Sequence, residues 1–571
     1  MRKIVNTKYL ENFIIVGFPL LIFIIWILTC WDLNYQVHDD RYMMEFVSGK
    51  FLGHGDAHLV YIKYLLAMFL LFLYNTWQGY DWYATMLFVI QFATIAVLTW
   101  YLIRGWEKRL HKLITITVFY VFFILCWINE ITCFTYTTVA ALVSATILAV
   151  FALSRDCISD YIILLILCFF SYNLRSDVFF MVLPFCGIVW GYKMIKCKKK
   201  SYLAFLLSLG VVLAVSYGVE YMAYSDSGWS DYNKYNNART LYYDYYLDEM
   251  VEYDNYKEIY EQLGISENGC EILESYDLSL YDEELYEKIP KLAKYYQSPK
   301  GLVERLADSV NNVLQDGLLE SKMMTLVSIF FWGIAMAYTI IKKNKAGGIL
   351  GGLFCLGHII LWGYLGYRGR ILPRVSHSML LIQIVTPLLV IFYVWQQQRE
   401  EGKNQESFST LCKRVGIIVF GLMCIGVMLY DARLSQKLIA KNAKEADYRD
   451  QYIIEEYCNT HPGNFYFLDV FSVVECKYTF AFHNENKYEN FLSLGDWFGN
   501  SPIYKEKLRK EKISSVREAV LHDDTVYVIG IEGKSLDFMK GITEKNVSIE
   551  PVDYLDGGMD DYVVYAIKEE T

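Results

Sequence analysis

Three groups of residues in this 571-residue chain have the types and spacing to do chemistry. The first is His38-Asp39-Asp40-Arg41-Tyr42, a few residues past the first long apolar run. Paired carboxylates suit the deprotonation of a hydroxyl, because burial and mutual repulsion raise one pKa into the range of a general base. Neighbours in a chain point different ways, so one carboxylate can act as base while the other orients a ligand or a metal. Two adjacent acids also describe any solvated turn, so the pair takes its meaning from its setting. The second group, Gly53-His54-Gly55-Asp56-Ala57-His58, offers three metal-capable side chains, His54, Asp56 and His58, which share one face if the run is extended. The same residues read more readily as a glycine loop with a capping aspartate, which leaves a divalent metal open. The third group is a set of arginines beside apolar runs: Arg175, and Arg368, Arg370 and Arg374 around Gly369 and Pro373. An arginine at membrane depth is costly unless it is paired or functional, and its fork matches a phosphate. A salt bridge from Arg175 to Asp177, or anionic lipid headgroups against the other three, would account for the same residues.

The elements that must position these residues are apolar. Hydrophobic residues make up 54% of the chain and charged ones 20%. The apolar residues gather in runs such as Phe13–Trp31, Met86–Tyr101 and Leu203–Val219, near the ~20 residues that cross a ~30 Å hydrocarbon core. Spans are expected near 12–31, 82–103, 113–128, 131–153, 160–173, 178–192, 202–221, 323–341, 347–365, 378–395 and 414–430, about eleven in all. Arg2, Lys3 and Lys8 precede the first run, and no small-x-small site follows it, so it reads as an uncleaved anchor with a cytoplasmic amino terminus. The linkers 104–112, 193–200, 342–345 and 399–414 are basic or mixed and fall on the cytoplasmic side, provided Leu59–Tyr74 does not span. That stretch, with Lys63 inside it and tyrosines and tryptophans around it, is read as an interfacial or re-entrant helix. The alternative is a true span that inverts everything downstream.

Four regions follow: an amino-terminal membrane module 1–221 with its first outer loop at 32–81, a large acidic and mostly helical outer loop 222–322, membrane helices over 323–430, and a small α/β domain over 431–571. The tail shows strand-like runs at 464–470, 525–531, 547–554 and 562–567, with helical stretches at 433–458, 502–512 and 535–540. The fold class is therefore mainly α, a polytopic helical bundle with a small extracytoplasmic α/β domain. The net charge of −10 and the lack of a basic face argue against nucleic acid. Most of the thirteen cysteines lie in or beside apolar runs and read as small hydrophobes, although Cys458 and Cys476 could pair if exported.

In this order the features resemble the GT-C superfamily of integral-membrane glycosyltransferases. Asp39-Asp40 falls where that family carries its catalytic acid in the first outer loop. His58-Leu59-Val60-Tyr61 falls where many members open an interfacial helix. Phe134-Thr135-Tyr136-Thr137-Thr138-Val139-Ala140, the Arg175 segment, Asn236/Arg239/Asp244 and Leu494-Gly495-Asp496-Trp497…Ser501-Pro502 look similar to segments of poorly characterised bacterial members. A histidine-proline-proline run of better-known branches is lacking, which leaves the acceptor open. The resemblance implies a multi-pass enzyme of the plasma membrane, acting on cell-envelope polysaccharide or lipid. It would transfer a hexose or pentose from a polyprenyl-phosphate donor to a hydroxyl of an extracytoplasmic glycan or lipid acceptor. Asp39 or Asp40 would be the base; Arg175, Arg368, Arg370 and Arg374 would hold the donor phosphate; and His54, Asp56, His58 and Arg239 would contact substrate. No cofactor is firmly implied, since some relatives use a metal. The rival readings are a transporter or flippase of lipid-linked saccharides and a polysaccharide polymerase or ligase.

Overall fold

The chain is seen in a computed structural model. It describes residues 2–197, 201–246, 253–295, 300–400, 451–474, 488–533, 546–555 and 561–569, with a few single residues between them. The expected span 414–430, most of the helical stretch 433–458, Cys476 and most of 535–540 lie outside the described residues.

Among the described residues, nine helices are long and apolar enough to cross a membrane. The amino-terminal module runs α1 (Arg2–Cys30), α2 (His38–Ser48), α3 (Tyr64–Thr76), α4 (Trp82–Ile103), α5 (Arg109–Phe122), a π turn at Phe123–Trp127, α6 (Ile128–Thr132), α7 (Tyr136–Leu153), α8 (Ile158–Leu174), α9 (Ser176–Cys197) and α10 (Ser201–Ala223). Helix α5, the π turn and α6 make one apolar passage, Arg109–Thr132. Helix α8 has only 17 residues, about 25 Å of rise, slightly short of the core thickness. After the helical outer segment come Lys322–Ile341, Lys345–Arg368 and Pro373–Glu400. At the centre stands α7, buried along almost its whole length. Its small residues, among them Ala140, Ala141, Ser144, Ala145 and Ala149, let neighbouring helices approach closely.

Connections sort onto two ends of this bundle. At one end Arg104 pairs with Asp160 at 2.8 Å, Lys193 with Asp156 at 2.9 Å, and Lys112 reaches Asn12 at 2.7 Å. At the other, β1 (Asn34–Tyr35) pairs in parallel with β2 (Cys133–Phe134), joining the segment after α1 to the segment before α7. Helix α3 belongs wholly to this second end. The Lys63 N–H at its start donates to the Asn173 carbonyl, where α8 finishes, while Tyr74 near its finish donates to Asp81 at the start of α4. Its 13 residues rise about 20 Å without leaving that end, so α3 lies across the bundle instead of traversing it.

The outer segment begins with α11 (Ser227–Leu241) and continues through Tyr253–Gln262, Glu267–Glu274, Leu285–Tyr295 and Leu302–Asn312, which makes it mostly helical as its sequence suggests. The tail forms a five-stranded sheet in the order β4 (Phe491–Ser493), β3 (Phe465–Leu468), β5 (Val526–Ile531), β7 (Tyr562–Glu569), β6 (Val547–Leu555). Strands β4, β3 and β5 are parallel, while β7 runs antiparallel to β5 and β6. The alternation of a strand divides its side chains between two cores. Tyr466 and Leu468 pack with Ile454 and Cys458, whereas Phe465 and Phe467 join the large core shared with the first loop and the outer segment.

Candidate active site

Helix α2 starts directly after β1, and its first turn carries Asp39 and Asp40, where negative charge is favoured by the free N–H groups. The two carboxylates meet different surroundings. Asp40 is fully buried: it accepts a hydrogen bond from the Tyr83 hydroxyl at 2.6 Å and from the Tyr136 N–H, in the first turn of α7, at 3.1 Å. Burial outweighs these bonds and pushes its carboxyl up to about 7. Asp39 keeps some access to solvent and lies 3.6 Å from His38. It is within electrostatic reach of Tyr61, Tyr136 and Arg175.

His38 connects this turn to the tail. Its Nε2 is 3.1 Å from Asp496, in the turn that follows β4. Burial alone would lower the ring's pKa, but the Asp496 carboxylate reverses that and raises it to about 9, making His38 an imidazolium at neutral pH. The turn is tightly built. A Cβ on Gly495 would sit 1.8 Å from the Tyr276 carbonyl oxygen, so only glycine fits there, and Asp496 itself adopts φ +76. The next carbonyl, of Trp497, accepts the Tyr232 hydroxyl at 2.6 Å, and Phe498 packs on Tyr42 with ring centres 4.3 Å apart. Tail, first loop and outer segment thus close on one another around His38.

The arginines divide into two pairs. Arg175 caps α8, donates to the Tyr136 hydroxyl at 3.2 Å and lies over the rings of Tyr61 and Tyr136. Its ion pair with Asp177, at 3.2 Å, ends on an exposed carboxylate and is worth little. Arg374 acts electrostatically on both His38 and Tyr136, which places it around the same few groups. Arg368 and Arg370 turn to the outer segment instead: Arg370 pairs with Asp244, and Arg368 lies 4.2 Å above the ring of Tyr245. Arg239 is buried in the same segment, held by Asn236 at 2.7 Å and bonded to Tyr276.

The His54/Asp56/His58 group does not gather. His54 is exposed and faces Glu506 at 3.4 Å, while Asp56 and His58 bond each other at 2.7 Å. His58 also bonds the Ala223 carbonyl and stacks on Trp229, so it fastens the start of the outer segment to the first loop. A different acidic group does assemble: the carboxylates of Glu45, Glu455 and Glu489 come within 4.8 Å of one another. Arg41 and Lys50 pair with them, and Lys507, buried beside Glu489, supplies a third positive charge. These charges tie α2 to the tail.

Sequence reasoning grouped His38 with Asp39 but gave it no role, and it overlooked Tyr61 and Tyr136 as neighbours of Asp39 and Asp496 as the partner of His38. The resemblance had brought the segments of Tyr136 and Asp496 into view without giving either a place. No protein-family model, curated protein or solved structure matches the chain, which leaves the geometry around Asp39 as the basis for a functional reading.

Proposed function

We propose that the chain is a GT-C-type membrane glycosyltransferase, moving a sugar from a polyprenyl-phosphate donor to a hydroxyl of a glycan or lipid acceptor on the outer face of the plasma membrane. The observation that carries this reading is the Asp39 carboxylate, mostly buried but with its side chain still 12% exposed, and Arg175 and Arg374 around the same small group of side chains. Asp39 takes the proton of the acceptor hydroxyl as its oxygen attacks the anomeric carbon. The bond from that carbon to the phosphate oxygen breaks, and its electron pair leaves with the lipid phosphate. Arg175 and Arg374 hold the resulting charge. Asp40, fully enclosed, supports α2 against α7 and does not meet substrate. Arg368, Arg370 and Arg239 shape the outer segment above the site.

The orientation follows from the positive-inside rule applied to the linkers 104–112, 193–200 and 342–345, with the amino terminus in the cytoplasm and the tail outside. The deciding experiment is Asp39→Asn in purified protein, assayed with a panel of polyprenyl-phosphate sugars and monitored for intact folding. Loss of transfer from a donor that wild type uses supports the reading. Full transfer by the variant removes Asp39 as the base, and no transfer by wild type from any donor removes the reading altogether.

A further inference from the structure

One turn from Arg374, and unused by the mechanism above, is an ionisable pair contributed by two membrane helices. Glu130 is 2% exposed, yet it lies on a helix that must answer for every buried charge. Its carboxylate is 2.5 Å from Nδ1 of His377, on the helix Pro373–Glu400. Two features give the pair a direction. The π turn Phe123–Trp127 inserts a wide turn just before Glu130 and re-aims the residues after it, a device common at functional positions. His377 also follows Arg374 by three residues, so the two lie on one face of the first turns of their helix. The His377 side chain is 21% exposed, and only Nδ1 has a partner among the described residues.

We infer that Glu130 and His377 form a phosphate-binding element beside Arg374, in which Glu130 fixes the ring and His377 presents Nε2 to a phosphoryl oxygen of the lipid-linked donor. Nδ1 is committed to Glu130, which leaves Nε2 as the ring nitrogen open to a phosphoryl oxygen. Arg374 alone gives a charge on a long side chain; a buried carboxylate behind a short aromatic ring gives a second, fixed donor. This rests on the glycosyl-transfer reading, and its test is built so that the two can fail separately.

The test measures binding of farnesyl phosphate to the purified full-length protein in detergent, with farnesol and phosphatidylglycerol as parallel probes. His377→Ala is expected to weaken farnesyl phosphate about tenfold, the loss of one charge-assisted hydrogen bond. Glu130→Gln still accepts from Nδ1 but lacks the charge, and is expected to weaken it about threefold. Farnesol, which has the chain without the phosphate, and phosphatidylglycerol, a bulk headgroup, are expected to bind wild type and variants alike. In transfer assays the variants raise the donor KM and leave the acceptor KM unchanged. Variants that melt earlier yet bind farnesyl phosphate like wild type overturn the assignment and leave the pair a structural bridge. Loss of phosphatidylglycerol binding without loss of farnesyl phosphate also overturns it. A wild type that takes up farnesyl phosphate no better than farnesol overturns both this assignment and the glycosyl-transfer reading.

Discussion

Two carboxylates, one at each end of the bundle, respond to burial in opposite ways. At the basic end Asp156 receives Lys193 at 2.9 Å, the Tyr202 hydroxyl at 2.8 Å and the Ser154 hydroxyl at 3.0 Å. Burial raises its pKa, but these donors outweigh that and hold the carboxyl below its usual range. At the other end Asp40 has only neutral donors, the Thr135 and Tyr83 hydroxyls and the Tyr136 N–H, and burial outweighs them, so its carboxyl rises to about 7. Satisfied charge fastens helices together. A buried carboxyl met only by neutral donors costs stability when ionised, and that cost falls on the turn that also carries Asp39.

The contrast can be broken most directly at Asp39. Asp39→Asn is expected to lower transfer by 10²–10⁴, roughly 3–5 kcal/mol in the barrier, with little change in thermal melting. Next in size is Asp40→Ala, which leaves the Tyr83 hydroxyl and the Tyr136 N–H unpaired and costs about 2–4 kcal/mol of stability, read by unfolding in detergent. Asp40→Asn separates charge from shape. Because the folded protein holds the Asp40 proton more tightly than the unfolded chain, this stabilisation is complete below about pH 4 and is lost as pH rises through about 7. The asparagine variant should lack that slope in its melting profile, and an unchanged slope would dismiss the raised pKa.

Asp496→Asn is expected to cost about 1–2 kcal/mol at pH 6 and little at pH 10. The His38 contribution is present below its unfolded pKa near 6.5 and disappears as pH rises through about 9. Smallest is Lys193→Met at the basic end, about 1 kcal/mol, since the Tyr202 and Ser154 hydroxyls still bond Asp156. There the sign is reversed: the Asp156 contribution is present at neutral pH and is lost on acidification, so wild type and variant should converge in acid. Transfer per folded molecule should not change in this last variant, and a large catalytic loss would show that the two ends are not independent.

Much of the frame was legible because bilayer thickness imposes length and composition on a span. Helices Trp82–Ile103, Ser201–Ala223 and Lys322–Ile341 fall within a residue or two of the expected segments. Even the demotion of Leu59–Tyr74 could be argued from charge alone, and α3 indeed keeps both its ends at one end of the bundle. Four tail strands were readable from β-branched and aromatic runs, while β4, three residues long at the sheet edge, carries too little pattern to stand out. The site was legible only in its local part. Adjacent acids announce themselves, but Asp496 meets His38 across 458 positions, and Glu130 meets His377 across 247. No spacing rule reaches that far. The His-x-Asp-x-His run shows the converse: its residues are close in sequence, yet only Asp56 and His58 bond each other, while His54 faces Glu506.

The contact between His38 and Asp496 also sets an order in time. A ribosome adding about 5–20 residues per second needs roughly 20–90 s to make the stretch between them. During that interval the first loop stands at the membrane surface with its histidine unpartnered and the aromatic faces of Tyr42 and Phe46 uncovered, because Trp497 and Phe498 do not yet exist. Only the last quarter of the chain can finish what the first tenth begins. A nascent protein interrupted after its final membrane helix would be inserted and still immature, an open substrate for quality-control proteases.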